Sequence, residues 1–318
     1  MHIPTNSFST VRGNFTSRFA RFAQAIGISL ALAAGASSAA HARDIQTAKG
    51  IVQVEGTPQR VVTLSESALD TALATGIQPV GTVATRGSNS VSEYLRARAG
   101  KIGIVGTARE YNLEAILALQ PDLILAPQAL SSDIYNKLSL MAPTIVPAAS
   151  FSDDWRLMVS TYAQALGREE QVEEAYQGLD TRIGQLRERL GEPRTVSVVR
   201  WMPQGPMIMS SKVFTGQLLH ALGFKTPELA DKQGDRPHSD VLSLENLGGL
   251  DSDWLFLATL NKEGAETLEA TKRQPAFTRL GAVREGNVST VDGQIWSSAT
   301  GVLAAGLILD DIEKTFLN

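Results

Sequence analysis

The residues with chemistry to offer are cations and aromatics that recur just after short apolar runs. Arg86 follows the run 80–83, and Arg109 follows the run 101–105, with Tyr111 two residues on. Arg200 and Trp201 close the run 195–199, and Lys212 stands just before the run 214–222. Arg236 and His238 lie in the polar stretch 231–240, Trp296 lies in DGQIWSS, and Ser65 and Glu66 end the run 60–64. A guanidinium presents a planar fork of donors to carboxylates and other oxygen-rich anions, and an indole presents a flat apolar face. These residue types suit the holding of an anion better than the making or breaking of bonds.

Reaction chemistry is thinly provided. The sequence contains no cysteine, which excludes a disulfide scaffold, a thiolate metal site, a thiol nucleophile and a lipid-modified N-terminal cysteine. No G-x-S-x-G elbow, P-loop or G-x-G-x-x-G is present. Asp153-Asp154 and Asp310-Asp311 read as helix-terminal charges rather than acid/base pairs. A hydrolase would need a nucleophile–base pair, and no histidine is marked as partner to Ser65 or Ser67. The expectation is a binding protein, not an enzyme, with no cofactor and no direct metal ligands.

The chain has 318 residues, a formal net charge of −4, 43% hydrophobic and 19% charged residues. That length suggests about two domains, and the acidic balance argues against a nucleic-acid partner. Arg12, Arg18 and Arg21 precede the small apolar run 23–36, and Ala40-His41-Ala42 gives a small-x-small cleavage pattern. Residues 1–42 therefore read as a cleaved signal peptide. About 14 apolar residues are too few to span a bilayer, which needs about 20. Removal of this leader leaves 276 residues with a formal charge of −7 and only His220 and His238. Two histidines without cysteine do not make a transition-metal site. The expected location is the periplasm, without a lipid anchor.

The elements that must position the cations alternate. Apolar β-branched runs at 60–64, 80–83, 101–105, 123–126 and 144–146 predict strands; 66–74, 113–119 and 131–140 predict helices. The alternation restarts at 195–199 and continues through strands at 254–257 and 287–291 to a terminal helix at 301–316. Between the two halves, Trp155, Met158, Val159, Tyr162 and Leu166 keep helical spacing, Gly167 interrupts, and 168–190 repeats the spacing over about 35 Å. The fold class is α/β: two Rossmann-like lobes with mostly parallel sheets, residues 43–150 and 192–318, joined by one long helix within 151–191. In such sheets ligands bind beyond the carboxyl ends of the strands, so the cations converge on an inter-lobe crevice.

An internal echo supports related lobes. Leu113-Glu114-Ala-Ile-Leu-Ala-Leu119 is followed by Asp122 and LILA; Leu244-Glu245-Asn-Leu-Gly-Gly-Leu250 is followed by Asp253 and WLFLA. Asn112 and Ser243 stand where a helix cap would, and glutamate suits a first helical turn.

The segments RVVTLSESALDTALATGIQPVGTV and VGTAREYNLEAILALQPDLILAP, with the later GQLLHALGF, VLSLENLGGLDSDWLFLA and DGQIWSSATGVLAAGLILDDI, resemble the periplasmic binding proteins that serve iron–siderophore, haem and cobalamin ABC importers. The resemblance runs from about Arg60 to the end of the chain, and the later segments fit the iron–siderophore branch. It implies a helical-backbone binding protein with a shallow cleft, limited closure and a ferric siderophore as ligand. It implies as partners an ABC importer permease dimer and its ATPase, docked by one surface glutamate per lobe, here Glu114 and Glu245. Arg86 and Arg109, Trp201 and Trp296 match positions of ligand contacts in the family. The Fe(III) arrives already chelated, so the protein need not ligate it. A monomer is expected. Haem binders of this group place a tyrosine where this chain has Thr107; Tyr111 is the nearest substitute, and cobalamin is a further alternative.

Overall fold

In the computed structural model, the structure describes residues 42–317 together with 1–2 and 4–5. The signal-peptide features Arg12, Arg18, Arg21, the run 23–36 and His41 lie outside the described residues.

The first lobe opens on a hairpin, β1 (Arg43–Thr47) and β2 (Gly50–Val54), that the sequence reading did not anticipate. There follow β3 (Val61–Thr63), α1 (Glu66–Ala74), β4 (Gly81–Ala84), α2 (Glu93–Ala99), β5 (Gly103–Thr107), α3 (Leu113–Ala118), β6 (Leu123–Leu125), α4 (Ser132–Leu138) and β7 (Thr144–Ile145). The five strands form one parallel sheet in the order β5-β4-β3-β6-β7. Helices cover both faces, so every residue of β3, β4, β6 and β7 is buried, whereas the edge strand β5 buries only Val105. Val61, Leu123 and Leu125 pack with Ala68 and Ala72, while Val62, Leu64 and Ile124 pack with Ile116 and Leu138.

The link is made of α5 (Trp155–Leu166) and α6 (Glu169–Leu190), broken at Gly167, which adopts a left-handed conformation at φ +64°. Helix α5 packs on β1 and α1, and its last carbonyls, Gln164 and Ala165, accept from the Arg43 guanidinium. Helix α6 spans about 33 Å at 1.5 Å per residue and lays Val172, Tyr176, Leu179, Ile183 and Leu186 on the second-lobe core.

The second lobe continues with β8 (Val196–Met202), β9 (Gly205–Ile208), α7 (Phe214–Ala221), α8 (Glu228–Asp231), a 3-10 turn (Leu244–Leu250), β10 (Trp254–Thr259), α9 (Lys262–Thr271), α10 (Pro275–Thr278), α11 (Gly281–Glu285), β11 (Val288–Asp292), α12 (Gly293–Ser297) and α13 (Val302–Phe316). Its sheet order is β11-β10-β8-β9, parallel except for the β8–β9 hairpin.

The internal echo has a structural counterpart. Ile116 and Leu247 are both buried, and each echo aspartate pins the chain just before its lobe's leading strand. Asp122 accepts from Gln59 N and Arg60 N at 2.7 and 2.9 Å; Asp253 accepts from Thr195 N at 2.7 Å.

One contact ties the lobes together far from the link. Asp70 of α1 is fully buried and accepts from Leu303 N and Ala304 N, 3.1 and 3.0 Å away, at the start of α13. It supplies the cap that Gly301 cannot, and a Cβ at Gly301 would collide with its carboxylate. The Tyr94 hydroxyl of α2 adds a third donor at 3.2 Å.

Candidate functional site

The carboxyl ends of β3, β4, β5 and β6 face the second lobe across a cavity of about 450 Å³. Each contributes from the residues just past its end: Ser65 and Glu66 after β3, Thr85 and Arg86 after β4, Ala108 after β5, Pro127 and Gln128 after β6. The second lobe contributes Arg200 from β8, His238, and the segment Ser297–Thr300 between α12 and α13. The volume lies within the range of small-molecule sites, and the location is where open parallel sheets place ligands.

Arg200 and Arg86 give the cavity its charge. Arg200 is only 6% exposed. Its Nε donates to Ser297 Oγ at 3.0 Å, and Ser297 is held in turn by Gly293 O. No carboxylate among the described residues pairs with it. Burial, and then the positive charge of Arg86, bring its guanidinium down to about 10, so it stays protonated at neutral pH. Arg86 is exposed and likewise makes no ion pair among the described residues. Its loop turns at Gly87, φ +78°, where an added Cβ would sit 3.1 Å from Leu260 O of the second lobe. Two cations face this cavity against one lining carboxyl, Glu66, whose ionisation burial opposes, and that excess of positive charge constitutes a receptor for an oxyanion.

Around them lies a chain of hydroxyls. Ser92 Oγ donates to Thr85 Oγ1 at 2.9 Å, and Thr85 Oγ1 donates to Glu66 Oε2 at 2.5 Å. Burial raises the Glu66 pKa, against this chain of hydroxyls and the nearby charge of Arg86. Ser65 caps α1 through Ala68 N at 3.2 Å, so its position is set by the helix start. His238 lines the cavity, and its Nδ1 donates to Ser239 O at 2.7 Å.

Several expected site residues are elsewhere. Trp201 is fully buried in the second-lobe core, 6.0 Å from Phe277 ring to ring and nearly perpendicular to it. Successive strand side chains point to opposite faces; once Arg200 faces the cavity, Trp201 must face away. Trp296 borders the cavity but has no exposed surface. Its ring stacks on Phe256 at 4.4 Å, and its Nε1 donates to Asp311 Oδ2 at 2.7 Å. It braces Arg200's surroundings and offers a ligand no flat face. Arg236 is exposed and pairs with Asp240, four residues further along the same loop. Lys212 and Arg109 are exposed and outside the lining, where only Ala108 represents the β5 loop. Tyr111 is half-buried against the first-lobe core, near enough to Arg86 to feel its charge but outside the lining. The sequence reading missed Thr85, Ser92 and Ser297; serine and threonine after a strand are too common to have signalled it.

On the outer surface, Glu114 sits in the first turn of α3, capped by Asn112 Oδ1 accepting from Ala115 N at 2.9 Å. Glu245 sits in the first turn of the 3-10 segment, where the Ser243 hydroxyl lowers its pKa. Both are exposed, and neither forms a salt bridge among the described residues.

Residues 61–295 match the family described as periplasmic binding protein. The chain belongs to that family. This periplasmic binding protein is 33% identical over 291 residues, 88% of this chain and 89% of the relative, to the probable siderophore-binding lipoprotein YfiY of Bacillus subtilis. It is 29% identical over 265 residues, 81% of this chain and 86% of the relative, to the achromobactin-binding periplasmic protein of Dickeya dadantii. Among solved structures, SirA of Staphylococcus aureus complexed with staphyloferrin B superposes with a TM-score of 0.77 at 26% identity, over 86% of this chain and 97% of that one. The two-lobed α/β architecture expected from the sequence is the architecture of these relatives.

Proposed function

We propose that this protein captures a ferric siderophore in the cavity between its lobes and delivers it to an ABC importer of the inner membrane. The observation that carries the reading is the pairing of Arg86 and Arg200, one from each lobe, on a cavity whose lining holds a single carboxyl, Glu66, and where neither arginine forms a salt bridge among the described residues. A chelate whose Fe(III) is already coordinated presents peripheral oxyanions, and those are what two guanidiniums take. Relatives named for siderophore, achromobactin and Fe(3+)-citrate binding support the same ligand class. Iron is cargo here, and the protein holds it through the chelator. The haem alternative needs Tyr111 as a ligand, and Tyr111 packs on the core instead.

The site set that we propose is Arg86, Arg200, His238, Ser65 and Glu66, with Arg109, Tyr111, Lys212, Arg236, Trp201 and Trp296 withdrawn from direct contact. The lobes are taken as 43–150 and 192–318, with 151–191 as the link. Glu114 and Glu245 are proposed to dock on the permease, one per lobe, with the protein acting as a monomer. The absence of cysteine supports a mature protein free of a lipid tether.

Titration of the purified mature protein with ferric citrate and with a ferric tris-catecholate, followed by tryptophan fluorescence, tests the ligand class. Trp155 lines the cavity and should report binding by quenching. No response to either chelate, with a Soret band on adding hemin, would overturn the reading.

A further inference from the structure

The second lobe brings a histidine to the cavity and fixes it there. Residues 237–239 run antiparallel to the end of β9: Ser210 N donates to Pro237 O at 3.0 Å, and Ser239 N donates to Ile208 O at 2.9 Å. The Ser239 hydroxyl accepts from Ile208 N at 3.1 Å, so the backbone on both sides of His238 is pinned to the sheet. The imidazole is oriented through its Nδ1, which donates to Ser239 O at 2.7 Å. That bond leaves Nε2 as the free ring nitrogen. Nε2 has no hydrogen-bond partner among the described residues and is not sealed from solvent, and the residue lines the cavity. His220, by contrast, is exposed and engaged by Thr226.

Three nitrogen-bearing side chains therefore meet on one cavity. Arg200 donates to protein only through Nε, and Arg86 faces it from the other lobe. Guanidiniums keep their charge across the physiological range, whereas an imidazole gains its charge between neutral and mildly acidic pH. Neutral, His238 presents a lone pair at Nε2; protonated, it presents an N–H and a third positive charge. The groups around it are Asp240, two residues on, and Arg236, which pair with each other on the exposed loop. On the cavity they are Arg200 from β8, Arg86 after β4 and Glu66 of α1. Burial opposes ionisation of Glu66, so falling pH removes negative charge there as well. Both changes make the cavity more positive in acid.

We propose that His238 Nε2 is a ligand contact whose protonation strengthens the hold on an anionic ferric chelate, so that affinity rises as pH falls. This rests on the siderophore reading and deepens it. An oxyanion held by two guanidiniums gains a third, charge-assisted donor once the imidazole is protonated. With the imidazole neutral, the same atom turns a lone pair towards that oxyanion and contributes nothing to its retention. The bond from Nδ1 to Ser239 O holds the ring in one orientation through both states.

The test compares the parent with His238→Asn, whose side-chain amide can take over the bond to Ser239 O but which has no atom in the place of Nε2. Ferric-citrate affinity of both proteins is measured by tryptophan fluorescence on the same solutions from about pH 5.5 to about pH 8. A ferric tris-catecholate replaces the citrate if only that chelate binds the parent. Changes in the chelate and in Glu66 are common to both proteins and cancel in the ratio of the two dissociation constants. The expected result is a loss of about tenfold or more in His238→Asn at the lower pH, closing to about twofold or less at the upper pH. A ratio that does not widen towards acid overturns the proposal while leaving the siderophore reading in place. If the parent binds neither chelate, the siderophore reading falls and takes this inference with it. Should His238→Asn fail to fold, His238→Ala gives the same comparison.

Discussion

Replacing Asp70 tests how the two lobes are held. In Asp70→Ala the amides of Leu303 and Ala304 lose their acceptor inside the protein, and the Tyr94 hydroxyl loses its own. Loss of a helix cap costs about 0.5–2 kcal/mol, and each buried donor left unmet costs about 1–3 kcal/mol. Against that stands the burden of the carboxyl itself, because burial raises its pKa from 3.8 to about 7. A group whose folded pKa is raised contributes stability that is complete below the unfolded value and is lost as pH rises through the folded one. For Asp70 that window runs from about pH 4 to about pH 7. Measured near about pH 5, where the parent keeps most of the benefit, Asp70→Ala should cost roughly 2–4 kcal/mol. At about 2–4 °C per kcal/mol for a chain of this size, the melting temperature should fall by roughly 4–16 °C. Asp70→Asn retains an acceptor oxygen but cannot titrate, so its stability should vary less with pH than the parent's across the same window. Urea and thermal unfolding of the mature protein at several pH values measure both effects. An Asp70→Ala variant within about 0.5 kcal/mol of the parent, or an Asp70→Asn variant with an unchanged pH slope, would refute the clasp.

Three further outcomes are expected. Arg86→Ala should weaken ferric-chelate binding by about ten- to a hundredfold, whereas Arg109→Ala, outside the cavity lining, should stay within about twofold; calorimetric titration of the two separates them. Arg200→Met should lose affinity by a comparable factor yet leave the unliganded protein equally stable or stabler by about 1 kcal/mol, because it removes an unpaired buried cation; equal affinity or a clear loss of apo stability would contradict this. Glu114→Arg combined with Glu245→Arg should leave ligand affinity intact and abolish importer-dependent uptake of radiolabelled iron, and normal uptake by the double variant would remove the docking assignment.

Local chemistry made much of the fold legible. Helix α1 spans Glu66–Ala74 as its spacing implied, because a cap at Ser65 and a glycine at 76 bracket an uninterrupted apolar period. The β8–β9 hairpin was missed: Pro206 argues against a strand, and only an antiparallel edge position accommodates it. At the site, the strand-end rule located Arg86 and Arg200 but said nothing about facing. Trp201 is one residue from Arg200 and points the opposite way, so a parity argument from the pleat would have separated them. Trp296 was legible as an aromatic near the cleft, but its hydrogen bond to Asp311 and its stack on Phe256 depend on partners distant in sequence. The Asp70 clasp joins residues 233 positions apart and has no local signature at all.

Arg86 rides on a loop that touches the opposite lobe through Gly87, while Arg200 is anchored in that opposite lobe. The electrostatic grip on a ligand is therefore a function of a mechanical coordinate. Any torque that parts the lobes lengthens the span between the two guanidiniums, and a chelate bridging them loses one hold before the other. On the proposed binding mode, a partner that parts the lobes weakens the grip without touching either arginine.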